Sequence, residues 1–128
     1  MDSGVIFNVY TKLREGFDAA AQSPASLQER TYEVVNSILG IRQDLISGEV
    51  LAQYTEIIDA SSSGIRARGE WARVRDTVLE WDDGQCVVFV RRLLAFRECL
   101  ETTHDRLKLA EADRELSERL AQRSEKGG

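Results

Sequence analysis

The residues best suited to hold a transition metal are Cys86, Cys99 and His104, the two cysteines and the single histidine of the chain. A structural zinc site takes four thiolate or imidazole ligands in a tetrahedron. On one helix, Cys86 and Cys99 would lie about 20 Å apart along the axis and about 140° apart around it. Cys99 and His104 are five positions apart, whereas a shared helix face needs a spacing of three or four. The spacing therefore predicts no metal site and no cofactor.

A serine nucleophile needs a histidine base and a carboxylate that orients the histidine. His104 is followed directly by Asp105, but adjacent helical side chains point about 100° apart, so the pair lacks triad geometry. Residues 64–69 have the glycine spacing of a phosphate-binding loop without the Lys-Ser/Thr that completes it. The pair Asp82 and Asp83 fits a helix-end turn better than an acid–base pair. These patterns predict that the protein is not an enzyme.

Arginine accounts for 14 of the 17 basic residues. Four arginines join a loop to the start of a tryptophan-containing helix: Arg66, Arg68, Arg73 and Arg75. Arginine beside an aromatic ring suits phosphate contact and base stacking, although acidic residues are interleaved here. A nucleic-acid-binding regulator that uses an arginine-rich stripe from Arg66 to Arg97 is therefore the alternative function.

Arg42 falls inside the apolar arc predicted for the second helix. Its neighbours in that arc are apolar: Ile38, Leu39, Leu45 and Ile46. A charge in such a place is paired, extends its head group to water, or lies at an interface. We predict that Arg42 contributes to an interface.

The elements that carry these residues are predicted to be helices, because apolar residues recur at helical spacing in four segments: 4–22, about 26–46, roughly 49–60 and about 70–82. Ser3 is expected to cap the first helix, and Ser26 with Glu29 to form a capping box for the second. Gly84 is expected to end the fourth helix in a left-handed conformation. The apolar arc of the second helix is nearly 180° wide, so this helix is expected to be central.

The segment 85–100 begins like a buried strand, with Cys86-Val87-Val88-Phe89-Val90, and continues with a helical composition. The stretch Val5–Tyr10 is the one candidate partner strand, and it belongs to a clearly amphipathic segment. We therefore predict a helix that is buried nearly all round in its first two turns.

Beyond Leu100 the apolar stripe changes face, because Leu109, Leu116 and Leu120 lie about 180° from the preceding line on a straight helix. One possibility is that the helix breaks near Thr102–Asp105 and the tail folds back onto the bundle. The other is that the helix continues and offers its second stripe to another molecule.

The composition excludes a wholly disordered chain, because 42% of the 128 residues are apolar and can offset the entropy cost of ordering. No apolar run reaches the roughly 18–20 residues of a membrane span, and the N-terminus lacks a secretory signal pattern. With two cysteines and no signal, we expect an intracellular, cytoplasmic protein. A net charge of −5 disfavours a protein whose whole surface binds nucleic acid.

These observations predict an all-α bundle of four to five helices with a long or broken charged C-terminal helix. Residues 1–123 would form a single helical domain, and residues 124–128 a disordered tail. The favoured function is a non-enzymatic interaction and assembly module. It would form a homodimer through a coiled-coil-like contact of Leu109, Leu116 and Leu120, with Arg42 at an interface, and would bind a protein partner of unknown identity.

Overall fold

A computed structural model describes residues 1–62 and 70–127. This part of the chain contains five α-helices and no strand: α1 (Ser3–Gln22), α2 (Leu27–Asn36), α3 (Gly48–Ser61), α4 (Glu70–Leu79) and α5 (Asp83–Gly127). A 3₁₀ turn, Gln43–Leu45, lies between α2 and α3. The predicted all-α architecture with a long C-terminal helix is confirmed.

The 45-residue helix α5 is about 67 Å long, at about 1.5 Å per residue, and the other helices assemble along part of it. α1, α2 and α3 pack on α5, and α4 packs on α2 and α3. α1 runs antiparallel to α5, because Ser3 contacts Glu111 and Phe17 contacts Arg97.

The core forms where one line of α5 meets the other helices. The buried members of that line are those predicted from its spacing: Phe89, Leu93, Phe96 and Leu100. The ring of Tyr54 on α3 lies 6.3 Å from the ring of Phe96. The Tyr54 hydroxyl donates to the Ile38 carbonyl at 2.9 Å, so this buried polar group is satisfied.

The end of α2 differs from the prediction. The helix ends at Asn36 and not near Ile46, and residues 37–40 form turns. Asn36, Ser37 and Gly40 all have low helix propensity, and the Tyr54 hydroxyl hydrogen-bonds the Ile38 and Leu39 carbonyls. Ile38, Leu39 and Ile46 remain buried. The apolar pattern therefore predicts burial correctly at these three positions but not at Leu45, which is 41% exposed, and the backbone of this segment is not α-helical.

Of the three helix caps predicted from the sequence, at Ser3, Ser26 and Gly84, the structure shows the one at Ser26. The Ser26 hydroxyl accepts the Glu29 N–H at 3.1 Å, which is the serine half of the predicted capping box. The cap of α1 is Asp2 and not Ser3, because the Asp2 carboxylate accepts the Val5 N–H at 2.9 Å.

Gly84 does not end α4 but lies in the first turn of α5. The reason is a reciprocal cap: the Asp82 carboxylate accepts the Gln85 N–H at 2.7 Å, and the Gln85 side chain accepts the Asp82 N–H at 3.0 Å. These bonds satisfy two N–H groups at the start of a helix. The chain therefore enters α5 within three residues of leaving α4.

One alternative that the sequence leaves open for α5 is resolved, and two expectations are corrected. The helix is continuous across residues 102–105, so of the two possibilities, a break or a continuing helix, the structure shows the continuing helix. Its first two turns are not buried all round, since Val87 and Val88 are 43% and 56% exposed. The bundle covers only one side of α5. Residues 124–127, where the sequence predicts a disordered tail, are helical.

Within residues 1–62 and 70–127, no helix combines the length and the apolar character that crossing a membrane requires.

Candidate functional site

The three soft ligands, Cys86, Cys99 and His104, all lie on α5. Cys86 is buried, and burial raises the pKa of its thiol. Burial also raises the pKa of the half-buried Cys99, and a protonated thiol is a poor nucleophile and a poor ligand. The His104 ring packs 5.8 Å from the Phe7 ring, and its Nδ1 lies 3.6 Å from Asp105. Among the described residues, no group of three or more His, Cys, Asp or Glu side chains is placed to hold a metal.

A cavity of about 600 Å³ lies beside the turn between α4 and α5. Its lining includes Ala60, Trp81, Val88, Phe89 and Arg92, together with the cap residues of α5. The carboxylate of Asp82 and the amide of Gln85 in that lining are occupied by the cap. The titratable side chains among the described lining residues are Asp82 and Arg92.

Arg42 does not lie in an apolar helical arc. It sits in the non-helical segment after α2, with its side chain 70% exposed. Its guanidinium donates two hydrogen bonds to Asp44, at 3.2 and 2.6 Å, and these bonds hold the pKa of Asp44 below its ordinary value. The prediction that Arg42 lies in an apolar helical arc is therefore wrong. A solvated, locally paired arginine needs no further partner. The interface role itself stays a prediction.

The arginines of the alternative function are not brought onto one stripe in the described part of the chain. Arg66 and Arg68 lie outside the described residues. Arg73 and Arg75 are exposed on either side of the buried Val74, about 160° apart around α4. Arg97 lies 5.3 Å over the Phe17 ring, between α5 and α1. Nucleic-acid binding stays a prediction without support from these positions.

The leucine stripe, defined as Leu109, Leu116 and Leu120, lies on the solvent side of α5. These side chains are 71%, 56% and 56% exposed. On a helix with 100° per residue they fall within an arc of about 40°. That arc is opposite the buried line of Leu93 and Leu100. The stripe therefore faces away from the bundle of its own chain.

α5 leaves the bundle at Glu111. The Ser3 hydroxyl donates to the Glu111 carboxylate at 2.8 Å, and the Ser3 N–H donates at 3.2 Å. Both hydrogen bonds lower the pKa of Glu111. Every side chain from 112 to 124 is exposed. This contact is the last that fixes α1 to α5 before the helix extends into solvent.

The two sides of the extending segment differ in character. The positions that continue the buried line of α5 are polar: Arg114, Glu118 and Gln122. The positions on the opposite side are the leucine stripe. Because the apolar side is the one turned away from the bundle, the segment is not suited to extend the core of its own chain.

Three more apolar residues share the exposed side of α5, and the sequence prediction had placed two of them in the core. Val87, Val88 and Leu94 are 43%, 56% and 38% exposed. They fall within about 60° of the leucine stripe when helical phase is carried along the whole of α5. Their angular position around the helix could have predicted this exposure from the sequence, but only for a helix α5 that is continuous. We call these three residues and the leucine stripe together the outer face.

Comparison of the chain with protein-family models, with curated proteins and with solved structures gives no match.

Proposed function

We propose that the protein is a non-enzymatic helical assembly module that self-associates through the outer face of α5. One observation carries the proposal: six large apolar side chains are exposed on one side of one helix, and two of them, Leu116 and Leu120, lie where the helix extends beyond the bundle. Exposed apolar groups that cluster on one surface mark interaction sites more often than isolated ones do.

The chemistry of the outer face favours a helical partner. Its apolar residues alternate with charges of both signs, including Arg91, Glu98, Asp105 and Asp113. A surface that binds nucleic acid needs an excess of positive charge to neutralise phosphates. Mixed charge around an apolar seam is instead typical of helix pairs. A second copy of the chain carries the matching seam, and twofold pairs are the commonest assemblies of identical chains.

The setting we propose is the interior of the cell. Cys86 and Cys99 are both free thiols in the structure, and free thiols persist where glutathione and thioredoxin keep cysteines reduced.

The double substitution Leu116→Glu with Leu120→Glu tests the proposal. Wild-type protein is expected to be a dimer by light scattering after size exclusion, and the variant a monomer. Both leucines are exposed, so the variant should retain its fold and its helical circular dichroism. Each dimer would then carry four negative charges within its apolar contact, and the cost of desolvating them opposes association.

Ala121→Glu with Gln122→Glu is the matched control, since it adds the same charge at exposed positions off the stripe. This control should remain a dimer. A double leucine variant that dimerises as strongly as wild type would refute the proposal. Binding of short duplex or single-stranded nucleic acid at low salt by monomeric wild-type protein would favour the alternative function instead.

A further inference from the structure

We propose that the second copy pairs antiparallel along the whole outer face of α5, with Leu109 of each copy against Leu94 of the other and Leu116 against Val87. The inference rests on the proposed self-association and specifies its geometry. It assigns Val87, Val88 and Leu94 to the same interface as the leucine stripe.

The spacing of apolar residues along α5 supports this register. The outer face has an apolar cluster at each end and a charged middle around Glu98. Val87 and Leu94 are seven residues apart, and so are Leu109 and Leu116. When two copies run in opposite directions, the equal spacing lets Leu94 contact Leu109 and Val87 contact Leu116 of the other copy in the same register. The twofold axis generates the same two contacts a second time.

The size of the contact argues against a dimer held by the leucine stripe alone. From Leu109 to Leu120 the helix rises only about 17 Å, which at a width of about 10 Å covers on the order of 170 Å². From Val87 to Leu120 the helix rises about 50 Å, which gives a projected area on the order of 500 Å². The area buried by interdigitating side chains is larger than this projection. Stable interfaces bury about 800 Å² on each partner. Only the longer contact approaches this size.

Charge on the outer face selects the antiparallel direction. A parallel pair would place each of Arg91, Glu98 and Asp105 beside the same residue of the other copy, and like charges in contact repel. The antiparallel register places Arg91 opposite Ala112 and next to Asp113, twice. It places Glu98 opposite Asp105, twice, with Arg106 one position further along. It therefore replaces the three contacts between identical charges by one like-charge pair that is repeated about the twofold axis, and it adds the attraction between Arg91 and Asp113.

The bundle leaves room for this pairing. The helices that pack on α5 contact its buried line, which includes Leu93 and Leu100. On the opposite side, Arg91, Ala95 and Thr102 are all exposed. A second helix can therefore approach the described part of α5 to the usual 8–10 Å between helix axes.

Single-cysteine crosslinking tests the direction and the register. Leu94→Cys and Leu109→Cys are made separately in a Cys99→Ser background; Cys86 is retained because it is fully buried. A short bis-maleimide should link the two variants when they are mixed, with neither variant linked to itself. The background protein alone should give no covalent dimer. Self-linking of each variant without mixed linking shows a parallel pair and overturns the inference.

Val88→Glu tests the length of the contact independently. Val88 lies far from the leucine stripe and is more than half exposed, so the variant should fold and should fail to dimerise. A Val88→Glu protein with wild-type dimer affinity overturns the inference, while the Leu116→Glu, Leu120→Glu result still supports self-association. A monomeric wild-type protein refutes the proposed function itself, and the geometry with it.

Discussion

Gly16 is the residue at which α1 and α2 come into close contact. A Cβ atom at this position would lie 2.8 Å from the Ser37 Cβ and 3.3 Å from the Val34 Cα. The Ser37 hydroxyl hydrogen-bonds the Val34 carbonyl, so the serine side chain cannot swing away without losing that bond. The absence of a side chain at Gly16 sets the distance between the two helices.

Gly16→Ala should lower the free energy of unfolding by about 1–3 kcal/mol, because overpacking outweighs the roughly 1 kcal/mol that alanine gains as a helix former. Urea denaturation measures the change. Gly40→Ala is the control, since a Cβ there meets nothing within 4 Å; it should change the stability by less than about 0.5 kcal/mol. A Gly16→Ala protein as stable as wild type would contradict the close α1–α2 contact.

Individual residues were predictable from the sequence where their partners are local. Ser26 caps α2 through a residue three positions away. The Asp82-x-x-Gln85 cap has the same spacing, but the adjacent Gly84 favours the end of a helix in a prediction from sequence. Arg42 was not predictable, because its surroundings depend on where α2 ends. That end depends partly on Tyr54, which follows 18 residues later and hydrogen-bonds the carbonyls of Ile38 and Leu39.

α1 is fixed to α5 at its first turn by Glu111. The carboxylate accepts hydrogen bonds from the N–H and the hydroxyl of Ser3, at the end of α1 where the helix dipole favours negative charge. These bonds lower the pKa of Glu111 in the folded protein. The contact therefore contributes stability above the ordinary glutamate pKa of about 4.3 and loses it as the pH falls through the lowered value.

Glu111→Gln should therefore destabilise the protein more at pH 7 than at pH 3, because the wild-type carboxyl loses its charge as the pH falls through its lowered pKa. Urea denaturation at both pH values measures the difference, and hydrogen exchange in the first turn of α1 localises it. Glu118→Gln removes the same charge from an exposed position and should show little effect at either pH. An equal loss of stability at pH 3 and pH 7 for Glu111→Gln would contradict the role of the ionised carboxylate.

At the scale of elements, periodicity predicted the existence and type of every α-helix in the described part of the chain. It could not decide whether α5 breaks near Thr103. A change of apolar face at Leu107–Leu109 is compatible with a break or with a second partner, and local sequence does not distinguish them. The structure shows an unbroken helix. The change of apolar face therefore favours a second partner for α5 over a break in the helix.

At the scale of the whole molecule, two different surfaces lie along one helix. The inward line of α5 organises the bundle, and the outer face is left without cover in the described part of the chain. The inward line could be predicted because the helices that pack on it belong to the same sequence. What covers the outer face could only be proposed, since the sequence of this chain does not identify a binding partner.

Sedimentation of wild-type protein over a range of concentrations tests the central claim, that the outer face binds a second copy. Pairing through the outer face predicts a mass of twice the 14.4 kDa of the chain at micromolar concentration. It also predicts a reversible shift towards the monomer on dilution. A mass that stays at 14.4 kDa throughout the micromolar range would contradict it.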